Sequence, residues 1–188
     1  MTRWNLGQNS RKIRTLVVLL GVSVILGVVY LLLTFVFGQK GTAFETSDGR
    51  FELRAPSDWV DVSRSNPDAL LLISDTGGTA AVQLDSQSKA SLPDIGLSDY
   101  AQQSVDSLLA AMQEGREVSG PTSGRVGDFP TLESEITGSL QGRQFVYSMV
   151  TLEVDDDFVQ ILGFSKPENY DSVKGDIRQI MGSFRVTG

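Results

Sequence analysis

The sequence contains no cysteine and no histidine, and these two absences exclude several kinds of chemistry. Without cysteine there is no disulfide, no thiolate nucleophile and no cysteine-ligated zinc. Without histidine, Ser-His-Asp and Cys-His mechanisms are excluded, together with the commonest metal ligand. A serine nucleophile would need lysine as its base, and beyond residue 41 the only lysines are Lys89, Lys166 and Lys174, all in polar surroundings. We therefore expect a protein that is not an enzyme and holds no cofactor.

Positive charge is also scarce over most of the chain. Beyond residue 41 there are 11 basic and 23 acidic side chains, a net charge of −12. A domain this acidic repels the phosphates of nucleic acids, which argues against a DNA or RNA partner. The first 14 residues show the opposite pattern, with four basic residues, no acidic one and a net charge of +4.

Residues 15–37 form a run of 23 residues without a charged side chain. A helix of this length spans roughly 34 Å, enough for a bilayer core of about 30 Å. Arg11, Lys12 and Arg14 precede the run, whereas only Lys40 follows it closely. By the positive-inside rule, residues 1–14 are predicted to be a cytoplasmic tail and the acidic part of the chain to lie outside the cytoplasm.

The alternative for this apolar run is a cleaved signal peptide, cut near Gly38. The apolar core of a signal peptide is usually about 7–15 residues long, which is shorter than this run. The length therefore favours a retained transmembrane helix. A lipoprotein is excluded, because lipid attachment at a lipobox requires a cysteine.

Residues 38–48 are predicted to be a polar linker and residues 49–188 a single extracytoplasmic domain. Period-two alternation and short apolar runs predict six strands, in GRFELRAP, DALLLISD, TAAVQLD, TLESEITGS, RQFVYSMVTLEV and FVQILGFS. The turn DTGG at residues 75–78 makes the second and third of these a hairpin.

Apolar residues at three- and four-residue spacing predict two helices, in LSDYAQQSVDSLLAAMQEG and SKPENYDSVKGDIRQIMGSF. Ser98 is the predicted N-cap of the first helix and Gly115 its end, and Ser165 with Glu168 forms a predicted capping box on the second. Between helix and strand, VSGPTSGRVGDFP is predicted to be a loop. The order of elements predicts an α+β fold, an antiparallel β-sheet with helices packed on it, preceded by the transmembrane helix.

Three adjacent carboxylates, Asp155, Asp156 and Asp157, separate two apolar strand candidates. A calcium site needs six to eight oxygen ligands, usually with a glycine at a sharp bend and a later glutamate. Aspartate also favours turns, where its side chain stays solvated and bonds nearby backbone N–H groups. The pattern therefore predicts a hairpin tip and no specific metal site. A weak Ca²⁺ or Mg²⁺ contact at these three residues is the alternative.

Two other features allow both a structural and a functional interpretation. Glu133 and Glu135 share one face of a strand, as an acid/base pair would, but the alternation favours the solvated face of a half-buried sheet. Trp59 is predicted to be a core anchor beside the first strand, and the alternative is a wall of a ligand pocket.

The segment FELRAPSDWVDV resembles the opening strand of the PsbP-like superfamily, with an apolar strand, a proline and a tryptophan a few residues later. The hairpin of LLLISD and AAVQLD, the central amphipathic helix, GDFPTLESEITGS at the start of a strand and the closing IMGSFRV occur in the matching order. The resemblance covers residues 44–187. It depends on this order, because each motif alone is common.

The resemblance implies an α/β/α sandwich and a mostly non-enzymatic family. Its members include lumenal subunits and assembly factors of photosynthetic complexes, bacterial envelope lipoproteins and a Ran-binding nuclear-import factor. This chain departs from soluble and lipid-anchored members in its predicted transmembrane helix, and it has no lipobox. It also lacks the basic surface expected of a photosystem subunit.

Together these features predict a single-pass protein of a cell or thylakoid membrane whose outer domain assembles or stabilises a membrane protein complex. Contact with the partner is expected at VSGPTSGRVGDFP or on the outer face of the sheet. The alternatives are an envelope protein that binds a small ligand near Trp59 or a metal, and a carboxylate-dependent hydrolase.

Overall fold

A computed structural model describes residues 41–92 and 94–188, which contain ten strands and two α-helices. The strands are β1 (Thr42–Glu45), β2 (Phe51–Ala55), β3 (Trp59–Asp61), β4 (Leu71–Asp75), β5 (Ala80–Ser88), β6 (Gln113–Val126), β7 (Phe129–Leu140), β8 (Arg143–Val154), β9 (Asp157–Ser165) and β10 (Arg185–Val186). The helices are α1 (Leu97–Ala111) and α2 (Pro167–Gly182).

Seven strands form an antiparallel sheet in the spatial order β3-β4-β5-β9-β8-β7-β6. Its long central hairpins pair residues close in sequence, so strands β7, β8 and β9 run back and forth with short turns between them. A second, three-stranded sheet has the order β1-β2-β10 and is also antiparallel.

The two helices cover opposite faces of the large sheet. Each packs on β9, and the two residues that they contact, Phe158 and Gly163, point to opposite sides of this strand. On one face, α1 places Tyr100 in a stack on Phe158 with 4.4 Å between ring centroids. On the other face, α2 packs Ile177 over Gly163, next to the buried Ile161. The arrangement is therefore an α/β/α sandwich, as the family resemblance implied.

The small sheet lies on the same side as α2. Phe51, Leu53 and Ala55 of β2 belong to one core cluster with Ile177 and Ile180 of α2. The Ser183 hydroxyl, at the C-terminal cap of α2, accepts a hydrogen bond of 2.7 Å from the Arg54 backbone N–H. The end of the helix is thus joined directly to β2.

The α+β class, the six predicted strands and both predicted helices are confirmed. The apolar residues that repeat at helical spacing in the last helix do form its buried face, with Tyr170, Ile177, Ile180 and Met181 buried. Trp59 is only 4% exposed and lies in the main core, as predicted for an anchor.

Three short strands escaped prediction because two to four residues carry too little periodicity. Of the predicted linker, Thr42–Glu45 forms β1 and pairs with β2. Trp59–Asp61 pairs with β4, and Arg185–Val186 pairs with β2.

The prediction of a loop at residues 118–130 is wrong. Residues up to Val126 belong to β6, an edge strand, and Phe129 already begins β7. Only the last of the 14 residues of β6 is buried, so its sequence has no apolar face to reveal a strand. Register shifts interrupt its pairing with β7, which accommodates its glycines and Pro121.

The predicted helix caps are also wrong in detail. Gly96 is the N-cap of α1, so Ser98 lies inside the helix, and Gly115 lies in β6 beyond the extended residue Met112. Lys166 is the N-cap of α2 without a side-chain cap, although Pro167 begins the helix as expected. The Ser165 hydroxyl instead donates to the Thr79 carbonyl at 2.7 Å, so a contact with the β4–β5 turn replaces the capping box.

The predicted cytoplasmic tail (1–14), transmembrane helix (15–37) and first linker residues (38–40) lie outside the described residues. Neither α1 nor any other helix within residues 41–92 and 94–188 has the length and apolarity needed to cross a bilayer.

The β4–β5 turn contains an aspartate whose ionisation should contribute to stability. Partial burial by itself raises the pKa of Asp75, but hydrogen bonds from the Thr79 hydroxyl and the Ala80 and Thr79 backbone N–H groups outweigh it and lower the pKa below 3.8. A lowered pKa in the folded state adds stability above the unfolded pKa, and this stability is lost as the pH falls through the folded value.

Asp75→Asn should therefore reduce the free energy of unfolding by about 1 kcal/mol at pH 7. The difference from wild type should shrink as the pH falls below about 4. Urea denaturation of both proteins across this range measures the effect. A constant difference at every pH would contradict the role assigned to the ionised carboxylate.

Candidate functional site

The three adjacent aspartates lie at the tip of the β8–β9 hairpin, where other residues bind the backbone carbonyls of Asp155 and Asp156 and the carboxylate of Asp157. Asp155 and Asp156 form the turn, with Asp155 at φ +49°, and Asp157 begins β9. Lys89 donates from Nζ to the Asp155 carbonyl at 2.7 Å and from its backbone N–H to the Asp156 carbonyl at 2.8 Å. The predicted hairpin turn is confirmed.

The Asp157 carboxylate forms an ion pair with the Arg50 guanidinium. The same guanidinium binds Asp48 at 2.7 Å and donates to the Ser86 hydroxyl at 2.9 Å. Hydrogen bonds with Asp157 and then Asp48 raise the pKa of Arg50, so the cation is stable in this position. This cluster joins the β1–β2 turn to the large sheet, which is a structural role. Among the residues that the structure describes, no group of three or more acidic residues is arranged to hold a metal ion.

A cleft of about 320 Å³ lies between the C-terminal half of α2 and strands β6, β7 and β8. Its apolar part is formed by Val126, Val150 and Met181, which are all buried. Around them stand polar and charged side chains from each of the four elements, namely Ser119, Thr122, Arg125, Glu133, Glu135, Ser148 and Arg178. The cleft thus has a small apolar centre and a charged wall.

Glu135 is held in the cleft wall by a tyrosine from α2. The Tyr170 hydroxyl donates to Glu135 Oε2 at 2.7 Å and shares a second hydrogen bond of 2.7 Å with the Ser148 hydroxyl. Burial raises the pKa of Tyr170, which keeps its hydroxyl protonated and able to donate. The Glu135 carboxylate therefore has a defined position on the sheet side of the cleft.

Glu133, two residues earlier on the same face, is placed by a glycine on the neighbouring strand. A Cβ atom at Gly124 would lie 2.1 Å from Glu133 Oε1, so only glycine leaves room for this carboxylate. Thr131 Oγ1 donates to the same oxygen at 3.3 Å. The contact with Glu133 therefore explains one of the glycines in β6, the strand that the sequence did not predict.

Arg178 of α2 and Arg125 of β6 also line the cleft, but Arg125 alternates with Thr122 and Gly124, so its side chain leaves β6 on the other face of the sheet. Arg125 Nη2 donates to the Asp128 carbonyl at 3.1 Å. Within residues 41–92 and 94–188, neither arginine forms an ion pair within 4.0 Å, and neither do Glu133 and Glu135. The cleft therefore presents charges of both signs that are not paired with each other.

The structure brings together several residues that the sequence suggested separately. Glu133 and Glu135 do share one strand face, as predicted, but this face forms the wall of a cleft rather than a flat solvated surface. The segment expected to contact a partner contributes Ser119, Thr122 and Arg125 to the same cleft. Trp59, in contrast, lines none of the four cavities described in residues 41–92 and 94–188.

Tyr170 and Arg178 were not predicted as site residues. Both lie on α2, more than thirty positions after the glutamates in the sequence. Tyr170 is buried in the core, and its hydroxyl donates a hydrogen bond to Glu135. No local pattern indicates that this hydroxyl would meet Glu135.

The described domain has a PsbP-like fold, an antiparallel sheet between helices with a small second sheet. No protein-family model and no curated protein sequence matches the chain. Solved structures do match. LpqN of Mycobacterium tuberculosis, described as involved in cell envelope biogenesis, gives a TM-score of 0.58 at 13% identity, covering 79% of this chain and 91% of LpqN.

Two further structures share the fold. The cyanobacterial PsbP protein CyanoP of Synechocystis sp. PCC 6803 gives a TM-score of 0.52 at 16% identity, covering 77% of this chain and 91% of CyanoP. The Ran-binding protein Mog1p of Saccharomyces cerevisiae gives a TM-score of 0.55 at 12% identity, covering 79% of this chain and 96% of Mog1p. At these identities the likeness shows the fold alone, and it agrees with the family resemblance found in the sequence.

Proposed function

We propose that this chain is a single-pass membrane protein that uses its PsbP-like domain, outside the cytoplasm, to assemble or stabilise a membrane protein complex. The domain acts by binding and not by catalysis. The observation that carries this proposal is the cleft between α2 and strands β6 to β8, with its apolar centre and its unpaired charges. A buried apolar centre with a polar rim is the usual composition of a protein–protein interface.

The similar structures support a binding role. LpqN is described as involved in envelope biogenesis, CyanoP is a PsbP protein and Mog1p is a Ran-binding protein. The three names refer to different biological settings, so the fold supports no single partner. What is carried over to this chain is only the use of such a domain as a binding module at an envelope or photosynthetic membrane.

The proposed tether is the apolar run of residues 15–37. A domain anchored to the membrane meets membrane partners at a higher effective concentration than a freely diffusing one. A cleft of modest size and affinity is then sufficient for a stable complex.

A matched pair of substitutions on β6 tests whether the cleft is the docking site. Thr122 lines the cleft and is paired with Glu133, whereas Ser123 is the next residue, is paired with Leu132 and points to the other face of the sheet. Both side chains are exposed, so a tryptophan at either position should leave the fold intact. Thr122→Trp should fill the cleft, and Ser123→Trp should not.

The measurement is the native mass of the full-length protein after extraction from its own membrane in a mild detergent. Wild type and Ser123→Trp should migrate in a larger complex, and Thr122→Trp should lose at least nine-tenths of it. Equal thermal unfolding of the two variants controls for folding. Wild type that always migrates alone, or a Thr122→Trp protein that stays in the complex, would contradict the proposal.

A further inference from the structure

The cleft contains two carboxylates and one guanidinium group that have no ionic partner in the described part of the chain. Glu133 and Glu135 lie on β7, and Arg178 lies on α2. Charges in a concave site are more strongly felt than on an open surface, because the low-dielectric walls reduce screening. A ligand that satisfies them must carry both signs of charge.

We infer that the cleft binds a segment of the partner protein in which a lysine or arginine lies close to an aspartate or glutamate. The basic side chain binds Glu133 and Glu135, and the acidic side chain binds Arg178. This inference rests on the proposed function and names the chemistry of the partner.

The position of the glutamates favours a cation with a long apolar stem. Tyr170 donates to Oε2 of Glu135, while Oε1 accepts no hydrogen bond from the residues that the structure describes. Val150 and Met181 supply an apolar surface in the same cleft. A lysine or arginine buries its methylene stem on such a surface while its charged end reaches a carboxylate.

Arg178 favours a carboxylate as the second group. A guanidinium offers a planar fork of N–H donors that matches the two oxygens of a carboxylate. Arg178 lies on α2 and the two glutamates lie on β7, so a segment that binds both would join the two walls of the cleft.

The net charge of the domain adds a second reason to expect this partner. A domain with a net charge of −12 attracts cationic segments from a distance and speeds their approach. This long-range electrostatic attraction would favour any basic segment of a partner. Arg178 disfavours segments that are only basic, because like charges placed together in a cleft are costly.

Short peptides and the methionine methyl groups of the full-length chain provide a direct test. The chain has four methionines, of which Met149 and Met181 line the cleft and Met112 lies in the other core, at the end of α1. The full-length protein, labelled on its methionine methyl groups and held in detergent, is titrated with the capped peptides Gly-Lys-Asp-Gly, Gly-Lys-Lys-Gly and Gly-Asp-Asp-Gly. NMR then follows Met181, with Met112 as the internal control.

The Lys-Asp peptide should shift the Met181 signal in a saturable way, with a dissociation constant of about 1 mM for so short a ligand. The Lys-Lys and Asp-Asp peptides should bind at least fivefold more weakly, and Met112 should not move. A Met181 signal that does not respond, or a single-sign peptide that binds equally well, would overturn the inference.

Neutral variants assign the charges to their roles. The double variant Glu133→Gln with Glu135→Gln, and separately Arg178→Gln, should each weaken the Lys-Asp peptide at least fivefold. The controls are Glu114→Gln and Arg116→Gln, exposed positions on β6 that do not line the cleft, and these should bind like wild type. Cleft variants that bind like their controls would overturn the inference.

The two proposals fail in different ways. If Thr122→Trp abolishes the native complex but the peptides show no preference for both signs, the docking site stands and its assigned chemistry is wrong. If the peptides show the preference but Thr122→Trp leaves the complex intact, the chemistry of the cleft stands and its role in assembly is wrong.

Discussion

Replacing Gly163 by alanine should lower the free energy of unfolding of the domain by about 2 kcal/mol. Gly163 lies in β9 beneath α2, where a Cβ atom would be 2.2 Å from Ile177 Cγ2 and 3.3 Å from Met181 Sδ. Ile177 is fully buried, so it has no free space into which it can move. The added methyl group must therefore push α2 away from the sheet. Urea denaturation of residues 41–188 at pH 7 measures the loss.

Gly175→Ala is the matched control, since it makes the same chemical change within α2. Gly175 is exposed, and no atom lies within 4 Å of the Cβ position. Alanine should stabilise this helical position by about 0.5–1 kcal/mol, because glycine loses more conformational freedom on folding. A Gly163→Ala domain as stable as wild type would contradict the packing of α2 described here.

Phe184→Ala should have a still larger effect and lower the free energy of unfolding by about 3–5 kcal/mol. Phe184 is the second residue after the end of α2, and its side chain is 1% exposed. Its ring lies 5.4 Å from that of Phe51 in the small sheet and 5.9 Å from that of Phe129 in the large sheet. One side chain thus joins both sheets at the end of α2, and its removal leaves a cavity that none of the three elements can easily close.

The conservative variant Phe184→Leu keeps most of the apolar volume and should cost less than about 1.5 kcal/mol. The comparison separates the loss of volume from the loss of the aromatic contacts. Equal effects of alanine and leucine, or a loss below about 1 kcal/mol for alanine, would show that Phe184 does not join the two sheets.

The central part of the fold could be predicted from the sequence because its burial is regular. Strands β7 to β9 alternate or run apolar, and the last helix repeats its apolar residues at helical spacing. In these segments the local sequence pattern and the tertiary packing favour the same structure, so the pattern is sufficient to predict it. The acidic tip was predictable for a similar reason, since aspartates between two strand patterns indicate a turn.

The edge strand β6 shows where this reasoning fails. Its residues are almost all exposed, so burial imposes no period on them. Gly124 leaves room for the carboxylate of Glu133 on the neighbouring strand, and the register shifts accommodate Pro121. Each of these residues suggests a loop when it is considered alone, and only the pairing with β7 explains them together.

The cleft was predictable only in part. The shared strand face of Glu133 and Glu135 follows from their spacing, but their neighbours do not. Tyr170 is 35 residues beyond Glu135, and the contact between them depends on how α2 crosses the sheet. Gly163 and Ile177 fit closely together where α2 lies on the sheet, and this fit becomes visible only in three dimensions.

A partner protein that occupies the cleft should be detectable by direct cross-linking from residues that line it. A photoreactive amino acid placed at residue 122 in the full-length chain, in its native membrane, tests this claim directly, with residue 123 as the control. We expect one discrete, stoichiometric adduct from residue 122 and at least tenfold less of it from residue 123. Equal yields from the two positions, or no adduct from residue 122, would contradict the assignment of the cleft as the docking site.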